Sequence, residues 1–226
     1  MANVSAKDVK VLRDRTGAGM MDCKNALVEA EGDQEKAVEI IKKKGLAKAA
    51  KKAGAIAAEG VVHAYIHAGS RIGVLVEINC QTDFVSRNEE FKAFVDEVGL
   101  QIASSSPLYV READIPDADL VKQKAFFVAQ LEEEEKQTGK KRPEAAVAKI
   151  IEGKLAKWLN EVCLDNQELV TREDKKTCGA ASEELTARLG EKIAVRRFVR
   201  FELGEGIEVV KKDLAADVAE TLAAGA

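Results

Sequence analysis

The tightest constraint on the fold lies between residues 72 and 102, where the apolar period changes from strand-like to helical within a few positions. Ile72, Val74, Val76 and Ile78 stand two apart, the mark of a strand with one buried face. Phe91, Phe94, Val95, Val98 and Ile102 then share one helical stripe. A chain so patterned must finish a strand, turn sharply and lay a helix back across it. Ser86 followed by Glu89 matches a capping box and predicts the helix start. Asp83 and Phe84 fall on the connection. An acid beside an aromatic, on a short loop between rigid elements, suits a probe that reaches into a partner. The residues alone leave a second reading open, with Phe84 folded into the core and Asp83 serving free N–H groups at the helix start.

The first 45 residues read as three helices. Ser5 and Asp8 predict a start, and Gly17-Ala18-Gly19 a sharp reversal. Met20, Cys23, Leu27 and Ala30 recur at helical spacing, and Asp33 caps a third helix carrying Ala37, Ile40 and Ile41 and ending at Gly45. Such a unit is small and reads as flexibly tethered. A strand over Val61 to Ile66 and another over Arg71 to Gln81 flank a hairpin at Ala68-Gly69-Ser70. Leu108-Tyr109-Val110 and Val162-Cys163-Leu164 read as short strands.

Between Asp117 and Leu159 two helices face each other, the first through Val121, Ala125 and Val128, the second through Val147, Ile150, Ile151, Leu155 and Trp158. Thr171 with Asp174 predicts another helix start. Ile193, Val195, Val199, Phe201 and Leu203 alternate along a long strand against Arg196, Arg200 and Glu202; Arg197 breaks the apolar row, so one end of the strand is expected to meet solvent or a partner. An alanine-rich helix is expected from Asp213 to Ala224.

Composition narrows the function classes. Across 226 residues the formal net charge is only −4, which argues for a soluble protein and against one that mainly wraps a phosphate backbone. No apolar run approaches a membrane span, and the charges at Lys7, Asp8 and Lys10 do not fit a signal peptide. Cysteines at 23, 80, 163 and 178 lack C-x-x-C spacing, and His63 and His67 are the only histidines, so neither a zinc framework nor a disulfide lattice is expected. Lys42 to Lys52 holds six lysines and no acid, read as a solvated helix end favoured by the helix dipole rather than a nucleic-acid contact. No phosphate loop, nucleophile elbow or metal spacing appears, so the chain reads as a binding protein and not an enzyme, with no cofactor.

Three segments, taken together, carry a resemblance. Glu77-Ile-Asn-Cys-Gln-Thr-Asp-Phe-Val-Ser-Arg87 is similar to the core signature of the elongation factor Ts family, and Leu12-Arg-Asp-Arg-Thr-Gly-Ala-Gly-Met-Met-Asp-Cys-Lys-Asn-Ala-Leu27 to its amino-terminal signature. Arg197 to Glu208 is a weaker match in the expected order. The chain departs from the family pattern at Gln167-Glu168-Leu169-Val170, where Pro-Phe is expected after the glutamine.

The resemblance implies a guanine-nucleotide exchange factor for elongation factor Tu, bound in its GDP-loaded and nucleotide-free forms. It implies that Thr82, Asp83, Phe84 and Val85 disturb the partner's Mg²⁺ site, with Phe84 an apolar wedge and Asp83 fixing its approach. It implies that Arg13, Met20, Met21 and Lys24 dock the amino-terminal module, with Met20 equally suited to the module's own core. The expected fold is α+β. A three-helix, UBA-like module with its linker (1–55) precedes a first core subdomain (56–115), a central helical pair (116–160), and a second core subdomain with the terminal helix (161–226). The two core subdomains are expected to carry two small antiparallel sheets. No membrane and no direct nucleic-acid partner is expected. A homodimer is left open, as is a bacterial cytoplasm against a plastid or mitochondrial matrix reached by a removed transit peptide. The alternative function is a ribosome- or RNA-associated adaptor using the lysine run with Arg196 and Arg200.

Overall fold

The computed structural model describes residues 4–52, 54–139 and 141–207. The expected helix from Asp213 to Ala224 lies outside them. Three helices open the chain: α1 (Ala6–Thr16), α2 (Met20–Glu29) and α3 (Gln34–Lys52). Ser5 and Asp8 form the capping box of α1, and Gly17 ends it in the left-handed region at φ 66°. Leu12, Cys23, Ala26, Leu27 and Ala37 are fully buried in a cluster of their own.

The third helix does not stop at Gly45 but runs on to Lys52. The reason is packing. Helix α3 crosses α8 (Cys178–Leu189), and a Cβ on Gly45 would come within 3.0 Å of the Ala187 Cβ. A glycine inside a helix costs about 1 kcal/mol against alanine, but here it lets two helices touch. The three-helix unit is therefore packed on the rest of the chain rather than hung from it.

Among the described residues there is one three-stranded antiparallel sheet, in the order β1 (Glu59–Ile66), β2 (Ile72–Cys80), β3 (Ala194–Glu202), where two small sheets were expected. β3 pairs along the free edge of β2 instead of founding a second sheet. The short strand candidates near 109 and 163 run side by side, with backbone bonds such as Leu164 N–H to the Tyr109 carbonyl at 2.9 Å, but form an isolated parallel bridge, Tyr109 to Cys163, rather than a sheet. Val74, Val76, Ile78 and Cys80 of β2 point inward. There they meet α5 (Glu89–Ser105), whose Phe91, Phe94, Val95, Val98 and Ile102 are all buried, and Leu185 of α8. Residues from before and after the helical pair thus share one core. Gly99 brings α5 so near the sheet that a Cβ there would lie 2.9 Å from the Tyr65 Cβ.

A β-bulge between Glu77 and Ile78 explains why β3 does not follow its expected alternation. Arg197 faces Glu77 and Val195 faces Ile78, so Arg196 is the extra residue. Past it the faces exchange. Phe198 and Arg200 turn inward, while Val199 and Phe201 become 50 % and 70 % exposed. Both arginines at the bulge bind Glu77, Arg196 at 2.8 and 2.9 Å and Arg197 at 2.7 Å. These charge-assisted bonds hold the Glu77 carboxyl down to about 2.

Two other expectations change. In α6 (Asp117–Thr138) the residues buried toward α7 (Glu144–Val162) are Phe127 and Leu131, and Val121, Ala125 and Val128 stay exposed. The helix carries two apolar stripes, and the larger side chains bury more area. Helix α8 is capped by Thr177, whose hydroxyl accepts from the Ala180 N–H at 3.2 Å, rather than by Thr171. Asp174 is bound instead by Lys176 at 2.9 Å.

Two predictions follow from packing and charge. Gly45→Leu should lower the unfolding free energy by about 1–3 kcal/mol in urea titration, because the added side chain meets Ala187; an unchanged midpoint would separate the two helices. A carboxyl lowered on folding stabilises above its unfolded value and loses that contribution as pH falls through the folded one. Glu77→Gln should therefore flatten the fall in thermal stability between pH 4.5 and about 2; a parallel curve would refute the pairing.

Candidate functional site

The strand-to-helix connection is a four-residue helical turn, α4 (Asp83–Ser86), followed at once by α5. Ser86 is not the cap of α5. Its hydroxyl donates to the Asp83 carbonyl at 2.8 Å, and Asn88 caps α5 by accepting from the Glu90 N–H at 2.8 Å. Val85 turns into the core and is 8 % exposed, whereas Phe84 is 79 % exposed. Burying such a ring would contribute about 1.5–3 kcal/mol, which this turn forgoes. The Asp83 carboxylate pairs with Arg87 at 2.9 Å, which leaves the acid beside the exposed ring. The reading that folds Phe84 into the core does not hold, since Val85 and not Phe84 fills that place.

The turn is anchored from behind. Thr82 is extended (φ −132°, ψ 156°) and its N–H and hydroxyl both donate to Glu191, at 3.0 and 2.8 Å. Cys80 Sγ donates to the Thr82 carbonyl at 3.1 Å. Burial and then the Glu191 charge push the Cys80 thiol up, which keeps the proton that this bond uses. Beside it Gln81 Oε1 accepts from the Lys192 N–H at 3.2 Å and from Lys52 Nζ at 3.3 Å. Lys192 Nζ reaches the Ala55 carbonyl at 3.1 Å. The last residue of α3, the α8–β3 connection and the base of the α4 turn therefore meet at one point.

In the amino-terminal unit Arg13 and Lys24 are exposed, and Met20 and Met21 are 49 % and 66 % exposed. Met20 is not part of the module core, which Cys23, Ala26 and Leu27 fill. Both methionines lie at the start of α2, just past the Gly17-Ala18-Gly19 turn. That turn rests on Arg188, because a Cβ on Gly17 would come within 2.8 Å of its Nε. The same guanidinium binds Glu90 in the first turn of α5 at 2.9 Å. Arg188 thus joins the turn of the amino-terminal segment to the start of α5, just past the Glu77–Arg87 segment. Neither Arg188 nor Glu191 announces itself in sequence, since each acts on residues far away along the chain.

The remaining cavities offer less. A cleft of about 540 Å³ between α5 and α8 is lined by charges already paired, Arg172 with Glu97 at 2.6 Å and Lys176 with Glu184 at 2.6 Å. Gln167, just before the departure from the family pattern, has a structural role, since its amide donates to the Glu161 carbonyl at 2.7 Å and its oxygen accepts from the buried Gln101 at 3.1 Å. Among the described residues no group of three or more His, Cys, Asp or Glu is placed to hold a metal ion. No helix there is long and apolar enough to cross a membrane.

The family model described as "Elongation factor TS" matches residues 20–205, a span that holds the α2 methionines, the α4 turn and Glu191. The protein named Elongation factor Ts from Desulforamulus reducens is 51 % identical over 224 residues, 99 % of this chain and 100 % of that one. Its namesake from Myxococcus xanthus is 53 % identical over 222 residues, covering 98 % and 99 %. That from Thermoanaerobacter sp. is 54 % identical over 205 residues, covering 91 % and 97 %. With most of its length inside the family match and about half its residues shared with full-length relatives, the chain belongs to the elongation factor Ts family.

Proposed function

We infer that this protein is a guanine-nucleotide exchange factor that promotes GDP release from elongation factor Tu during translation. The observation that carries the residue-level reading is Phe84, an aromatic side chain held in water on a turn that its own fold clamps in place. Exposed rings on rigid supports are what binding hot spots are made of. In this reading Phe84 enters the partner near its phosphate and Mg²⁺ site, and Asp83 accepts hydrogen bonds that fix the approach. Thr82 and Val85, named with them by resemblance, act as the mount: Thr82 is held by Glu191 and Val85 sits in the core. Arg13, Met20, Met21 and Lys24 form the second contact.

No bond in the nucleotide needs to break. The factor must bind the empty GTPase more tightly than the loaded one, and nucleotide then weakens the factor equally. A thousandfold mutual weakening corresponds to about 4 kcal/mol of coupling. Work on an aminoacyl-tRNA delivery factor places the protein in the compartment of the ribosome, for a bacterium the cytoplasm. The RNA-adaptor alternative loses its support on β3, where Arg196 is bound to Glu77 and Arg200 to Glu202 at 2.7 Å.

Phe84→Ala should slow stimulated GDP release by roughly 10- to 100-fold in stopped-flow exchange, with thermal stability intact because the ring is exposed; a wild-type rate removes the wedge. Met21→Ala should weaken binding to nucleotide-free elongation factor Tu by about tenfold in calorimetry. Undiminished affinity there would exclude the α2 methionines from the interface.

A further inference from the structure

Thr82 is the cap residue of α4, yet its side chain makes no capping bond to that turn. Its hydroxyl is turned away and donates to Glu191 at 2.8 Å, while its N–H donates to the other carboxylate oxygen at 3.0 Å. With the Cys80 thiol on its carbonyl, every polar group of Thr82 is engaged by a fixed partner. Two residues later comes Phe84, whose own ring contributes nothing to its placement because it is exposed. The orientation of the ring must be set by the backbone on either side. Downstream that role belongs to buried Val85 and the Ser86 bond to Asp83. Upstream it belongs to Glu191.

We propose that Glu191 is a positioning residue for nucleotide exchange, a two-point carboxylate clamp on Thr82 that fixes the pose in which Phe84 meets the GTPase. This rests on the reading of Phe84 as the residue that enters the partner. Glu191 follows Gly190, the left-handed end of α8, and precedes Lys192, whose N–H binds Gln81 at 3.2 Å. The clamp is therefore mounted on α8, the helix against which α3 also packs. A flexible mount would let the ring sample many directions, and each ordering event on binding costs free energy. A clamped ring meets its target already ordered, so the loss on unclamping should appear in the exchange step more than in folding.

The test uses the full chain and elongation factor Tu loaded with a fluorescent GDP. Glu191→Ala should slow stimulated release by about tenfold, the scale of one or two lost charge-assisted bonds. Glu191→Gln, which keeps an acceptor for the Thr82 N–H and a polar partner for its hydroxyl, should recover most of the rate. In the Phe84→Ala background Glu191→Ala should add little, because a missing ring has no pose to lose. Hydrogen exchange of the free protein should speed up in peptides covering Thr82 to Val85 and stay unchanged in α5, which separates local loosening from unfolding. A wild-type rate for Glu191→Ala beside a slow Phe84→Ala overturns the clamp alone. Fully additive losses, or exchange that quickens throughout α5, overturn it as well. A wild-type rate for Phe84→Ala overturns the reading of the ring, and the clamp's role with it.

Discussion

The inward row of β2 is the interaction on which the rest depends. Val74, Val76, Ile78 and Cys80 are covered by α5 and α8, and β2 is also the strand to which both β1 and β3 are bonded. Apolar burial of this kind is non-directional, but the pleat makes it specific, because a slip of one residue would turn the row into water. Once β2 is seated, its end delivers Gln81 and Thr82 to a fixed place. The α4 turn inherits the rigidity of the core without belonging to it.

Much of this was legible in the order of residues. The change of period after Ile78 gave both the strand and the stripe of α5, and the Ser5–Asp8 pair gave the start of α1. Local signals failed where distant residues decide. Gly45 has the look of a helix end, and only the proximity of Ala187 makes it a crossing point. In β3 the break at Arg197 is visible in the pattern, but that it marks an extra residue at Arg196 shows only when Glu77 stands opposite. In α6 the expected stripe of Val121, Ala125 and Val128 gives way to Phe127 and Leu131, whose larger side chains bury more area.

The site shows the same division. Asp83 and Phe84 stand out as an acid beside an aromatic on a short connection, and Met21 is named by the family resemblance. Their supports do not stand out. Glu191 and Arg188 are ordinary charged residues near the end of a helix, and only the folded chain brings them to Thr82, Gly17 and Glu90. A motif names residues that are close in sequence, while the residues that hold them in place are scattered along the chain.

The length of α3 has a consequence of its own. Nineteen helical residues rising 1.5 Å each make a rod of about 28 Å, from the amino-terminal unit to Lys52 beside Gln81. A rod of set length does not stretch to suit its target. Whatever grips both ends is gauged by its own spacing, so arrangements of the partner with the wrong separation are turned away by geometry before any side chain is read.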